Sequence, residues 1–230
     1  MQVNLINNDY TWDNTTLIEF LKEGNIPSNW KSFFIDNLDI LIDISDKLND
    51  TEIIYPEITN VFRAFYMTPI DKIKIVIIGQ DCYHNGNATG LCFDVKTGSQ
   101  INPSLRNIYK EMKLEGFTPI ENGKLSHLPS QGVLLLNAAL TVEKGIADSH
   151  SKHWYLFTEK LIEYISNNTR VSWLLMGKRA QEFKKYIDTT RHNIVETSHP
   201  SPFSAMRGYK DIPAFIGSDC FKKLGNNITW

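Results

Sequence analysis

Asp81, Asn137 and His199 are the residues of this 230-residue chain whose types and positions could carry out a reaction. Each stands just beyond an apolar run. Gly79-Gln80-Asp81 follow Lys74-Ile75-Val76-Ile77-Ile78, Asn137 follows Val133-Leu134-Leu135-Leu136, and Ser198-His199 follow Asn193-Ile194-Val195-Glu196-Thr197. A fourth run, Val171 to Met176, ends on Gly177-Lys178. A carboxylate can take up a proton or face a developing cation. A neutral imidazole can donate to a developing anion. A carboxamide offers an acceptor and donors in one plane, which suits the reading of a ligand edge. Each residue also has an ordinary structural reading. Asp81 could be a turn or helix-cap residue, Asn137 could close its strand on a backbone group, and His199-Pro200-Ser201-Pro202 could be a rigid turn around a structural histidine. The coincidence of four such run ends favours a site.

The elements that must position these residues follow from the same runs. Three of the four are nearly continuous in apolar residues, as strands covered on both faces must be. Helical periodicity lies between them: from about Ser104 to Glu115, opened by Pro103; from about Trp154 to Ser166, with Leu156, Phe157, Leu161, Tyr164 and Ile165 at helical intervals; and from about Arg179 to Ile187. Strands alternating with helices imply an α/β fold with a parallel sheet. Ligands of such a sheet lie beyond the carboxyl ends of its strands, so the four run ends share one edge. Further helix is expected over Thr15 to Leu48, over Glu57 to Phe65 and near Ala214 to Leu224. The length suits one domain over residues 1–230, in which residues 1–25 are the part most open to loose attachment.

Composition narrows the class. Hydrophobic residues at 42% and aromatic residues at 11% describe an ordinary soluble chain with a core. No apolar run is long enough to span a bilayer, and the N-terminus has no secretory pattern. Cys82, Cys92 and Cys220 make neither a disulfide framework nor a paired zinc pattern, which fits a reducing, intracellular setting. The pair His150-x-x-His153 could clip a metal, but no third ligand is evident and a loop leading into a helix suits it better. The net charge of −2 argues weakly against a nucleic-acid partner. Its distribution does not: acids dominate before residue 60 and bases from Lys178 onward, so one face can be basic while the total is near zero, although from charge alone scattered solvated charges are the better reading.

Gly79 to His84, Leu134 to Ala138 and His199 to Gly208 (His-Pro-Ser-Pro-Phe-Ser-Ala-Met-Arg-Gly) resemble the signature segments of the uracil-DNA glycosylases. Ile54-Tyr55-Pro56, Gly90 to Phe93, Pro103 to Tyr109, Gln131-Gly132-Val133 and Ile228-Thr229-Trp230 match in order and spacing, so the resemblance runs from about Trp30 to the end. It implies a central four-stranded parallel sheet flanked by helices on both faces. It also implies a monofunctional hydrolase without metal or cofactor that releases uracil from single- or double-stranded DNA and leaves an abasic site. By this resemblance Asp81 orients a water and stabilises the cationic sugar, while His199 donates to uracil O2. Asn137 reads N3–H and O4, Phe93 stacks on the base, Tyr83 fills the space beside C5, and backbone donors around Gln80 complete the contacts. Ser104, Gly177, Lys178 and Ser201 hold the DNA backbone, Phe203 wedges into the vacated stack, and Arg207 supports that loop or a phosphate, with an ordinary surface role almost equally open. The implied partners are DNA and DNA-mimicking inhibitor proteins, with no membrane and a monomeric state, in the cytoplasm or nucleus according to the host.

Four positions depart from the family pattern. Cys82 stands for Pro, which is expected to loosen the loop before Tyr83; Phe203 stands for Leu, Lys178 for Ser and Met176 for Trp. None removes Asp81, Asn137 or His199. A different class of function stays open beside the enzyme: a DNA-binding accessory protein of replication, of the processivity type, on the same fold.

Overall fold

A computed structural model of the chain describes residues 9–225 and 227–230. Helices α1 (Leu17–Lys22), α2 (Lys31–Asp36) and α3 (Leu38–Leu48) come first, then strand β1 (Ile54–Tyr55) and helix α4 (Arg63–Met67). The remainder alternates: β2 (Ile75–Gly79), α5 (Pro103–Leu114), β3 (Val133–Asn137), β4 (Val142–Glu143), α6 (Ser151–Asn168), β5 (Ser172–Met176), α7 (Lys178–Gln181), β6 (Asn193–Thr197) and α8 (Cys220–Leu224). The four apolar runs are therefore strands, as their β-branched and aliphatic composition requires. They pair in parallel in the order β3-β2-β5-β6. Every residue of β2, β3 and β5 is buried, whereas the edge strand β6 exposes Asn193 and half-exposes Ile194 and Glu196. The short strands β1 and β4 pair antiparallel outside this sheet and had no signal in the sequence.

The strand order places the site. From β2 the chain moves outward to β3, and α6 then carries it back across to β5 on the other side of β2. At such a reversal the connections leave the sheet in opposite directions, and a crevice opens at the carboxyl ends of the two strands. The ends are level: Gly79 lies opposite Asn137, and Met176 opposite Thr197.

An aromatic layer anchors α6 against the N-terminal helices. Phe33 and Phe34 of α2, Phe62 and Phe65 around α4, and Trp154 and Phe157 of α6 meet mostly edge to face, at centroid separations of 5.0 to 6.4 Å. Leu17, Phe20 and Leu21 of α1 are buried too, and a capping box between Thr16 and Glu19 starts that helix.

Several expected boundaries move. Helix α6 begins three residues earlier than its periodicity suggested, and its buried stripe runs through Trp154, Phe157, Leu161, Ile162 and Ile165. Leu156 falls outside that stripe and is 47% exposed, because one residue rotates the helix by about 100°. The segment after α7 tightens into a 3-10 helix, Glu182–Tyr186. The last helix spans only Cys220–Leu224, not Ala214 to Leu224. The residues before it are drawn into turns by two buried carboxylates of α5. Glu111 accepts from the Gly217 and Asp219 N–H groups at 2.6 and 3.0 Å, and Glu115 from Phe221 and Lys222 at 3.1 and 2.6 Å. Charged acceptors thus satisfy the open N–H groups at the start of α8 from across the fold.

Phe157 is fully buried, and its replacement by Ala is expected to lower the unfolding free energy by about 3–5 kcal/mol. Urea denaturation measures this, with the slope unchanged if the folded state keeps its compactness.

Candidate active site

At the end of β2 the chain needs a residue without a side chain. A Cβ on Gly79 would stand 2.7 Å from Asn137 Oδ1 and 2.8 Å from Cys92 Cβ. Glycine lets the carboxamide of β3 and the segment 92–93 close onto the strand end. Phe93 then turns through a left-handed conformation (φ 62°). Its carbonyl accepts from the Tyr83 hydroxyl at 3.3 Å, and its ring lies 6.3 Å from the His199 imidazole, tilted by 44°. Gln80, Asp81, Tyr83, Phe93, Asn137 and His199 are thereby gathered at one edge. Asp81 follows β2 and His199 follows β6, two strand spacings away, or about 10 Å.

His199 is held in one tautomer. The Ser201 N–H donates to its Nδ1 at 3.1 Å, so Nδ1 offers a lone pair and the proton of the neutral ring sits on Nε2. Burial holds the imidazole below its ordinary titration range. Gly177 makes space for it: with φ 86°, a Cβ there would lie 2.9 Å from His199 Cβ. The loop beyond is braced from several sides. Ser198 Oγ donates to Ser204 O and accepts from Phe215 N, each at 2.9 Å, and Asn107 Nδ2 of α5 donates to Pro200 O at 2.8 Å.

Asp81 is half-buried and accepts the Asp148 N–H on Oδ2 at 2.7 Å. Burial raises its carboxyl above the usual range, the bond from Asp148 opposes the rise, and the Asp148 charge adds to it. Asp148 itself is left-handed (φ 63°) and bound on both oxygens. Ser151 Oγ and Gln80 Nε2 (3.4 Å) approach Oδ1, and Arg179 pairs with Oδ2 at 3.1 Å. The Gln80 side chain is thus committed to Asp148. Neither Asp148 nor Arg179 stood out in the sequence. The one local hint was that aspartate tolerates a left-handed turn better than most residues.

The remaining expected residues border the same edge. Ser104 lies in the first turn of α5, whose Pro103 opens the helix without a side-chain cap. Asn107 of that helix reaches the 199–203 loop. Lys178 is exposed at the start of α7, its ammonium 5.3 Å over the Tyr209 ring. Arg207 is exposed, and its N–H is tied back to Ser204 O at 2.9 Å. Phe203 is 91% exposed, and Met206 in the same turn 67%. Cys82 is buried, and its thiol donates to Leu140 O at 3.3 Å. Met176, for all its difference from the family, is buried in the core.

Of the pair His150 and His153, His150 is otherwise engaged. Both ring nitrogens of His150 meet hydroxyls, Nδ1 at Thr141 (3.0 Å) and Nε2 at Thr51 (3.3 Å), and His150 immediately precedes α6. Glu111, Glu115 and Cys220 approach one another within 4.8 Å, but both carboxylates there cap α8. Among the described residues, no helix is long and apolar enough to cross a membrane.

Burial also pushes His150 down to about 4 from 6.5, in the same direction as His199. The unfolded chain takes up protons at these rings before the folded chain does. Stability is therefore expected to fall as pH drops from about 6.5 towards 4. Denaturation midpoints across that range measure it, and imidazole NMR titrations divide it among His150, His199 and the likewise lowered His127 and His153.

A family model described as the uracil DNA glycosylase superfamily matches residues 65–223. A uracil-DNA glycosylase of Enterococcus faecalis is 47% identical over 186 residues, covering 78% of this chain and 82% of its own. One from Azobacteroides pseudotrichonymphae is 39% identical over 216 residues, 89% of this chain and 98% of its own. Crystal structures of the mimivirus uracil-DNA glycosylase, alone and as a variant in complex with UGI, superpose with TM-scores of 0.82 and 0.81 at 26% identity. They cover 97% of this chain and 92% and 94% of theirs. The edge that carries a carboxylate, a carboxamide and a tautomer-locked imidazole is thus found on a chain that belongs to the uracil-DNA glycosylase superfamily.

Proposed function

We propose that this chain is a monofunctional base-excision repair glycosylase that hydrolyses the N-glycosidic bond of deoxyuridine in DNA. The observation that carries the reading is that Asp81, Asn137 and the Nε2–H of His199 emerge at one sheet edge, with the Phe93 ring 6.3 Å from the imidazole; the space for the base is assigned between these groups. The nucleotide leaves the stack, at a cost of a few kcal/mol, and enters this space. Asn137 accepts from uracil N3–H and donates to O4, a pattern that cytosine reverses. Phe93 stacks on the ring. Tyr83, fixed by its bond to the Phe93 carbonyl, occupies the side where thymine carries its methyl group.

As the C1′–N1 bond breaks, its electron pair leaves with the base and positive charge grows on the sugar. His199 donates from Nε2 to uracil O2, where the negative charge collects. Asp81 faces the sugar cation and aligns a water whose oxygen bonds to C1′. Its raised pKa, with Oδ2 already held by Asp148, suits it to receive the proton that water gives up. Along the rim, Ser104, Gly177, Lys178, Ser201 and Arg207 hold phosphates and Phe203 enters the gap left by the flipped nucleotide. Backbone N–H groups at Gln80 serve the base, since its side chain is taken by Asp148. The mimivirus relative crystallises with UGI, and the same rim here suits an acidic protein that imitates DNA. The enzyme works as a monomer inside the cell, where DNA is.

The test is incubation with uracil-containing single- and double-stranded oligonucleotides in EDTA, followed by alkali. Cleavage at uracil and not at thymine is expected. Absence of cleavage with tight DNA binding would instead favour the replication accessory role. Asp81→Asn and His199→Leu are each expected to lower kcat by about 10²–10³. Phe203→Ala is expected to lower duplex activity more than single-strand activity, and equal losses on both would remove the wedge.

A further inference from the structure

A carboxamide that reads one edge of a base has a weakness. Turned by half a rotation about its last bond, Asn137 would present its oxygen where its nitrogen now lies, and the new pattern suits cytosine rather than uracil. Nothing in asparagine itself prefers one orientation. Asn137 is 5% exposed, so its surroundings must decide.

They do so through a thiol. Asn137 Nδ2 donates to Cys82 Sγ at 3.4 Å. That sulfur is 3.3 Å from Leu140 O and 3.6 Å from Ala139 O, and it donates its proton to this pair of carbonyls. Burial, aided by the neighbouring Asp81 charge, pushes the Cys82 thiol up to about 12, so it keeps that proton. With the S–H directed at carbonyls, the side facing Asn137 offers only lone pairs. An amide N–H is attracted there and an amide oxygen is repelled. On the opposite side, Asn137 Oδ1 lies over the end of β2, in space that exists because Gly79 has no Cβ.

We propose that Cys82 is a specificity-determining positioning residue, whose sulfur holds the Asn137 carboxamide in the orientation that reads uracil and rejects cytosine. No ligand is placed on the sulfur; it acts through Asn137. The inference rests on the reading of the chain as a uracil-DNA glycosylase. Cys82→Ala removes the acceptor, and Cys82→Ser replaces it with another that can also donate to Leu140 O.

The experiment compares kcat/KM on matched oligonucleotides carrying deoxyuridine or deoxycytidine for the wild type and both variants, with melting temperatures as the folding control. Wild-type cleavage at uracil is the test of the underlying reading. Given that cleavage, Cys82→Ala is expected to lose about 3- to 10-fold on uracil, the worth of one hydrogen bond. Its preference for uracil over cytosine is expected to shrink by at least as much. Cys82→Ser is expected to stay within about twofold of wild type. A Cys82→Ala enzyme with unchanged preference overturns the proposal, and so does a folded Cys82→Ser enzyme as impaired as Cys82→Ala. Should neither variant fold, the wild type still decides by NMR. The Asn137 side-chain amide, assigned by loss of its peaks in Asn137→Asp, is expected to show one proton that exchanges slowly. Two protons exchanging at the rate of a free amide overturn the proposal.

Discussion

The site depends on how closely the chain can approach the carboxyl end of β2. Gly79 has no Cβ, and for that reason Asn137 of the neighbouring strand, Cys92 and the ring of Phe93 all converge there. Any other residue would place a carbon under 3 Å from two of them, closer than packed atoms tolerate. A second glycine, Gly177, does the same for His199 at the end of β5. The sheet supplies level strand ends, and the two glycines let neighbouring segments and their polar groups close onto that edge.

Electrostatics at this edge follow from burial. Desolvation disfavours the charged form of both principal groups. For His199 this favours the neutral ring, whose Nδ1 can accept the Ser201 N–H and whose proton then stays on Nε2. For Asp81 the bond from Asp148 counteracts desolvation. Asp148 brings a second negative charge to the same corner, and Arg179 offsets it. That ion pair is partly exposed and contributes little to stability. Its consequence is geometric, since it joins the loop after β4 to the helix after β5.

Aromatic residues divide between two uses. Those of α2, α4 and α6 are sealed in the core, where edge-to-face contacts fix the start of α6 and so the loop that presents Asp148. Phe203 stands almost wholly in solvent on a loop that serine hydroxyls and Asn107 hold rigid. A ring held out in water on a stiff loop is already arranged to contact something outside the molecule, and little ordering entropy remains to be lost when it does.

The amino-acid sequence by itself determined the four strands, their parallel arrangement and the edge at which Asp81, Asn137 and His199 emerge. These depend on apolar runs a few residues long and on the rule that a parallel sheet binds at its strand ends, both of which are local signals. The family resemblance added the roles expected of the individual side chains. Helix ends were less legible: α8 is short because carboxylates of α5 capture the N–H groups before it, across more than a hundred residues of chain. The bond from Asp148 to Asp81, the tautomer of His199 and the grip of Cys82 on Asn137 were not legible at all. Two of these join residues 67 and 55 positions apart, and the third turns on which way the N–H of a serine set between two prolines points. Only tertiary structure decides such things, because a hydrogen bond depends on distance and direction in space, and neither is encoded by the identity of its neighbours in sequence.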